Sequence, residues 1–358
     1  MDVRVLDLGL VPAVRSQTIY HAVGHTLTVD TPDTIIVVAP REPYVCIGYH
    51  QDLEAEVDTD YCGAHDLPVY RREVGGGAVY LDRNQVFVQW VFHPDHLPPG
   101  LEEQFELYIR PLVETYRSFG IDAYWRPVND IHVDHRKIGG TGAADMGESR
   151  VLVGSLMLDF DKRTMARVLR VPSEKMRDKV YAGLEEYMTT MTDQLGETPD
   201  RTEVVARYLA FASEALGRRL VPGPLGEAEE LRARELDVAA VDPEWLNLRS
   251  PLRTPGVKIH EDVNIITGVH KAPGGLIRVT ARLNAGRLED VSFSGDFTVL
   301  PAVTVGLLAE AAEGAEPTVA DLDARFGRVF EELRPSSPGV GPGDFVRAVL
   351  TATEPPGT

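Results

Sequence analysis

The chain has 358 residues, 43% of them hydrophobic, and a net charge of −19, with a pI of about 4.9. That is ample for a buried core and suggests two domains. The acidity argues against a duplex nucleic-acid binder, which needs a basic face, and no apolar run is long enough to span a bilayer.

The N-terminal residues 1–17 lack a basic region followed by an apolar core and a small-residue cleavage site, so no signal peptide is expected. The two cysteines, Cys46 and Cys62, sit in no metal-binding spacing. The expectation is a reduced, cytoplasmic protein without nucleic-acid or membrane partners. Residues 34–50 read as two strands around a Pro/Glu turn. Residues 67–94 give a strand, a glycine loop and two further apolar runs. Residues 102–120 have helical spacing and end on Gly120, and Pro111 inside them predicts a kink or a break. Residues 130–161 read as strand, turn and strand, then a glycine-rich connection into another strand. Residues 161–176 and 200–217 look helical. Residues 220–254, rich in Pro and charge with one short helical piece, read as the end of one domain and a linker. A second αβ pattern follows, with a hairpin turning at Asn284, Ala285 and Gly286, a helix over 300–314, and a short terminal helix.

Two stretches carry chemistry. The first is RREVGGGAVYLD, residues 71–82. Three readings stand for Gly75, Gly76 and Gly77. They can form a tight hairpin that needs positive φ, a cradle of backbone N–H groups for phosphate, or a floor beneath an extended small molecule. The spacing is neither a P-loop nor a Rossmann turn. Arg71 and Arg72 lead into the run, and strand alternation sends them to opposite faces. One guanidinium can therefore face a cleft, where it matches phosphate or carboxylate. The second stretch is NDIHVDHRKIGGTGAA, residues 129–144. Lys137, one of only six lysines, enters a small-residue turn and can reach over a ligand lying on it. An exposed hairpin lysine is the plain alternative. Asn129 and Asp130 offer hard oxygen ligands for Mg²⁺, or simply a turn or cap.

Together these blocks resemble the two signature blocks of the lipoate–protein ligase A family, which shares a catalytic domain with biotin protein ligases. VLVGSLMLDFD, with Gly154, is similar to the family's third block, and residues 270–297 resemble its small accessory domain. Three departures stand out: Asp82-Arg83-Asn84-Gln85 follows the first block, Val153 replaces a frequent histidine, and Gly139-Gly140 stands for Ser-Gly. The resemblance implies a mixed, largely antiparallel α/β (α+β) catalytic domain over residues 1–250 and a small α+β accessory domain over 255–353. It implies a ligase that converts lipoate or octanoate and ATP, with Mg²⁺, to an acyl-adenylate. The acyl group then passes to a lysine of a lipoyl carrier: a lipoyl domain of a 2-oxoacid dehydrogenase, a glycine-cleavage H protein, or a related carrier.

On that reading Lys137 neutralises charge growing on the acyl oxygen and the α-phosphate. Arg72 holds an anion, and Gly75, Gly76, Gly77, Ala78, Val79 and Tyr80 supply backbone donors and a close floor. Asn129, Gly140 and Gly154 complete the binding residues, and Asp130 meets Mg²⁺. Val79, Val86 and Val88 are candidates for an apolar acyl slot, or ordinary core. The rivals are an octanoyltransferase of the same fold and a degenerate carrier-binding protein. Octanoyltransferases use a cysteine near the lysine block, and residues 120–160 contain none. A biotin ligase is disfavoured because its usual GRGRxG-like block is missing.

Overall fold

The computed structural model describes residues 2–248 and 263–353. They fall into two compact units. The first holds the chain up to Cys46, Val57–Glu73 and Val79–Trp245. The second holds Ile47–Glu56, Val74–Ala78 and the described residues from Leu246 onward.

In chain order the elements up to Leu246 are β1 (Val3–Val11), α1 (Ala13–Thr26), β2 (Thr34–Pro40), β3 (Tyr44–Ile47), α2 (Leu53–Glu56), α3 (Thr59–Ala64), β4 (Val69–Arg71), β5 (Val79–Leu81), β6 (Gln85–Phe92), α4 (Leu101–Ser118), β7 (Tyr124–Arg126), β8 (Asp130–Val133), β9 (Arg136–Met146), β10 (Ser149–Met157), α5 (Lys162–Val168), α6 (Glu174–Tyr187), α7 (Met191–Leu195), α8 (Arg201–Leu216), β11 (Leu220–Pro222), α9 (Glu227–Ala239) and α10 (Pro243–Leu246). The main sheet runs β11-β1-β2-β6-β10-β9-β8-β7, and β4-β3-β5 form a smaller one. Strands β11, β1 and β2 are parallel and the rest antiparallel. This is the mixed α/β fold the sequence implies.

Strands β2 and β6 are buried at every position, as strands covered on both faces must be. Gln89 and Trp90 show the two covers. Gln89 Nε2 donates to the Ser16 carbonyl of α1 at 3.1 Å. Trp90, facing the other way, donates to Tyr208 Oη of α8 at 2.8 Å and meets the Tyr108 ring of α4 edge-on.

Three local expectations are corrected. Helix α4 runs unbroken through Pro111. A mid-helix proline costs ~3 kcal/mol, and burial of Phe105, Tyr108, Leu112 and Tyr116 on one face outweighs that. Residues 161–176 form two elements, because Pro172 interrupts them and Ser173 caps α6 by accepting from the Met176 N–H. The glycines after Lys137 lie inside the 11-residue strand β9, not in a connection. A Cβ on Gly139 would make only ordinary contact with Ile131 and the Ser155 carbonyl, at 3.5 Å, whereas one on Gly140 would press on the Lys137 side chain at 3.1 Å.

Residues 220–248 carry regular elements where the sequence suggests the end of a domain and a linker. Strand β11 adds to the main sheet, and α9 is pinned to the first unit by Arg15 with Glu230 and Asp237, 2.8 and 2.6 Å, and by Arg4 with Glu229. Residues 249–254 lie outside the described residues.

In the second unit, β12 (Val263–Ala272), β13 (Gly275–Asn284) and β14 (Arg287–Gly295) form an antiparallel sheet, joined by α11 (Val303–Ala312), α12 (Val319–Leu333) and α13 (Pro342–Thr353). Ile277, Val279 and Ala281 alternate inward along β13 and share a core with Phe293, Phe297, Phe326 and Phe345. Ala285 and Gly286 both have positive φ, as the tight turn predicted there requires.

Candidate functional site

The β8–β9 hairpin positions the lysine. Its turn, Asp134-His135, has φ of 47° and 67°, a conformation these residue types tolerate better than most. Val133 pairs with Arg136 and His132 with Lys137, but then Ile131 pairs with Gly139 and Asp130 with Gly140. Ile138 is the extra residue of a bulge, the device by which a strand re-aims a side chain. In a regular strand residues 137 and 140 point to opposite faces. Here they share one, since a Cβ built on Gly140 would lie 3.1 Å from both Cε and Nζ of Lys137. The lysine therefore lies across bare backbone, and even an alanine at 140 would press on it.

Lys137 Nζ sits 2.7 Å from Asp130 Oδ1, and the two side chains are 39% and 31% exposed. An ion pair at that exposure contributes only ~0–1 kcal/mol, so a bound anion can draw the ammonium away. Asn129 clamps the entry to β9. Its amide donates to the Thr141 carbonyl at 2.6 Å, and its own carbonyl accepts from Thr141 N and Oγ1 at 2.9 and 3.0 Å. Thr189, just after α6, donates its N–H to the Lys137 carbonyl at 2.9 Å. Gly154, paired with Thr141, has a packing reason: a Cβ there would meet Thr141 Cγ2 and Tyr108 Oη at 3.1 Å.

His132 is the neighbour the sequence reading missed. It is 4% exposed, its Nε2 lies 3.8 Å from Asp130 Oδ2, and neither ring nitrogen makes a well-formed hydrogen bond. Burial lowers its pKa, against the opposing pull of the His135 backbone and Asp130. The sequence signal was present in the alternation that puts residues 130 and 132 of one strand on one face.

The small sheet holds a second group of residues. Arg71 and Arg72 do diverge. Arg71 is 1% exposed, and its Nε donates to the Trp245 carbonyl at 3.0 Å while Trp245 Nε1 donates to the Arg71 carbonyl at 3.1 Å. Arg72 donates to the Cys46 carbonyl at 3.4 Å. Val79 and Tyr80 pair with Cys46 and Val45. The Tyr80 N–H faces Met165 Sδ at 3.2 Å, so that donor is used inside the protein. Val86 and Val88 are fully buried core. Glu73 lies between two histidines, with His25 Nε2 at 3.0 Å and His21 Nδ1 at 3.5 Å.

The glycine run belongs to the second unit, and its members differ. A Cβ on Gly75 would fall 2.7 Å from the Phe297 carbonyl and 2.9 Å from Thr298 Oγ1. Gly76 has φ of 94°, and its carbonyl faces Gly48 so closely that Gly48 too has no room for a side chain. The bareness of these two is set by protein backbone. Gly77 is the exception. It lies outside the left-handed region and would meet only Asp296 Cβ, at 3.8 Å. Ala78 follows it in the same segment.

Both cysteines are buried. Burial raises the Cys62 thiol to about 11, with Asp58 adding to the effect, and raises Cys46 despite nearby Arg72. Among the described residues no group of three or more His, Cys, Asp or Glu side chains can hold a metal ion. Asp130 is a single carboxylate already paired with Lys137, so a resident metal centre does not fit these residues. Among them, too, no helix is long and apolar enough to cross a membrane.

Residues 18–212 match the family model of the lipoyl protein ligase A/B catalytic domain. Octanoyltransferase LipM of Kyrpidia tusciae is 29% identical over 242 residues, which cover 60% of this chain and 87% of that protein. A chain from the structure of a bipartite lipoate protein ligase and its E2 lipoyl domain, from Thermoplasma acidophilum, superposes with a TM-score of 0.64 at 27% identity, covering 72% of this chain and 100% of that one. A lipoate-protein ligase A solved with bound ATP has a TM-score of 0.59 at 25% identity, covering 69% and 98%.

Proposed function

Because this chain belongs to the lipoyl protein ligase A/B catalytic-domain family, we propose that it is an ATP-dependent lipoate–protein ligase. The carboxylate of lipoate or octanoate attacks the α-phosphorus of ATP, and pyrophosphate leaves. The amine of a carrier lysine then attacks the acyl carbon, and AMP leaves. The observation that carries this reading is a lysine laid over bare backbone, with no accessible cysteine to share the work. An acyl-carrier cysteine must be a reachable thiolate, and Cys46 and Cys62 are 0% and 2% exposed.

Neither step needs a nucleophile from the enzyme; both need charge stabilisation and positioning. Lys137 stabilises the oxygens that gain charge. Arg72 holds an anion, and Gly77 with Ala78 offers backbone to the adenylate. Mg²⁺ enters with the phosphates of ATP as part of the substrate, and Asp130 is the one carboxylate assigned to meet it. The ATP-bound and lipoyl-domain-bearing relatives support these substrate classes. Residues 263–353 act as the accessory domain that adenylation requires; their shared unit with Val74–Ala78 supports that role.

The test incubates the protein with ATP, Mg²⁺, lipoate and a purified lipoyl domain, and weighs the acceptor by mass spectrometry. A mass increase that needs ATP, survives Cys46→Ala and Cys62→Ala, and falls about 10²–10³-fold in Lys137→Ala is expected. ATP-independent transfer from an octanoyl thioester, lost with either cysteine, would assign the octanoyltransferase reaction instead.

A further inference from the structure

We infer that His132 is a positioning residue, which takes the Asp130 carboxylate when Lys137 turns to the acyl-adenylate. The inference rests on the role given to Lys137 above. In the free protein Asp130 has one oxygen on Lys137, at 2.7 Å, and the other 3.8 Å from His132 Nε2. That second separation is about one ångström beyond hydrogen-bond length. His132 is meanwhile buried, and neither ring nitrogen makes a well-formed hydrogen bond; the His135 backbone gives the ring only a weak one. A buried polar group left so is disfavoured by about 1–3 kcal/mol, so the arrangement is incomplete as it stands.

Ligand binding completes it. An ammonium drawn onto phosphate and acyl oxygens leaves a carboxylate facing an anion, and that carboxylate needs another donor. Asp130 and His132 are two apart on β8, and His132 pairs directly with Lys137 on β9. All three side chains therefore converge at the bulge. A small rotation of Asp130 transfers it from one donor to the other. Without His132, Asp130 keeps its hold on Lys137 and competes with the substrate.

The experiment uses the full chain and preformed lipoyl-adenylate, so that only transfer to a lipoyl domain is read and Mg²⁺ plays no part. His132→Phe should lower kcat roughly tenfold, the scale of one lost hydrogen bond to a charged group, with KM for the carrier unchanged. His132→Gln, whose amide nitrogen reaches where Nε2 lies, should stay within about threefold of wild type, whereas His132→Asn should not. In an Asp130→Asn background, His132→Phe should have no further effect. The Gln/Asn contrast decides the matter even where the Phe variant does not fold. Equal rates for Gln and Asn, a Phe variant within twofold of wild type, or an equal loss in the Asp130→Asn background would each overturn the inference. Lys137→Ala separates the two levels: full transfer without that lysine overturns the reading of the site itself.

Discussion

Replacing the glycines of residues 75–77 one at a time separates what the fold demands from what a ligand demands. Gly75→Ala brings a methyl to 2.7 Å from the Phe297 carbonyl and 3.3 Å from Thr298 Cα. These are backbone atoms that cannot swing aside, so the overpacking should destabilise by about 1–3 kcal/mol. Gly76→Ala places an L residue at φ of 94°, which costs roughly 1–2 kcal/mol. Gly77→Ala meets nothing nearer than 3.8 Å, and by restricting the unfolded chain should be neutral or stabilising by about 0.4–1 kcal/mol. At about 4 °C per kcal/mol for a unit of this size, the first two should lower Tm by roughly 4–12 °C and the third should not lower it. Thermal melts read the fold, and pyrophosphate release from ATP and lipoate reads adenylation. Gly77→Val should suppress adenylation at a nearly unchanged Tm. A Gly75→Ala protein melting within about 1 °C of wild type would refute the close approach. Adenylation at the wild-type rate in Gly77→Val would remove the run from the ligand site.

A chain ending at Leu248 should lose adenylation yet still transfer from preformed lipoyl-adenylate, because the loop segments lose their partners: Phe297 and Thr298 beside Gly75, the Gly295 N–H on the His50 carbonyl, and Arg278 on Glu56 at 3.1 Å. Adenylation at the full-length rate by that folded fragment would overturn the assignment of residues 263–353. Stability should also fall with acid between pH 6.5 and about 4. Burial depresses the His21 pKa to about 4, so the unfolded chain binds this proton first, and about 3 kcal/mol is lost across that window. Glu73, held low by His21 and His25 against its own burial, loses its contribution as pH falls through its folded value, in the same direction. Urea midpoints at pH 5 and 7 should therefore differ, and His21→Gln should narrow the gap; an unchanged gap would show that another group sets it.

The parts of the fold that sequence made legible are those governed by short-range rules. Strands β2, β3 and β6, the hairpin at Ala285-Gly286 and helix α8 follow from alternation, turn chemistry and helical spacing. What it did not reveal depends on partners far along the chain. Pro111 signals a kink or a break, and tertiary burial of one helix face overrides the break. Gly139 to Gly142 read as a connection because glycine disfavours strands, yet they lie within β9, paired to β8 and β10. Helix α12, capped by Thr318, was not anticipated, and residues 220–245 have the composition of a linker but pack as β11 and α9. Arg71 resembles its neighbour Arg72 in sequence, and its tie to Trp245, 174 residues away, is invisible to local rules.

The glycines show how far residue type alone can carry a functional argument. At Gly48, Gly75 and Gly154 the missing Cβ is explained by another protein atom in its place. These positions would be bare in a protein with no ligand at all. At Gly140 the occupying atoms are Cε and Nζ of Lys137, the side chain to which the proposed function assigns the chemistry. At Gly77 a Cβ would make only ordinary contact, with Asp296 Cβ at 3.8 Å. Bareness is thus evidence for a ligand only where packing leaves it unaccounted for. By that criterion the proposed ligand contact of the glycine run rests on Gly77, and the proposed chemistry rests on the bulged strand that carries Lys137, next to Asp130 and His132.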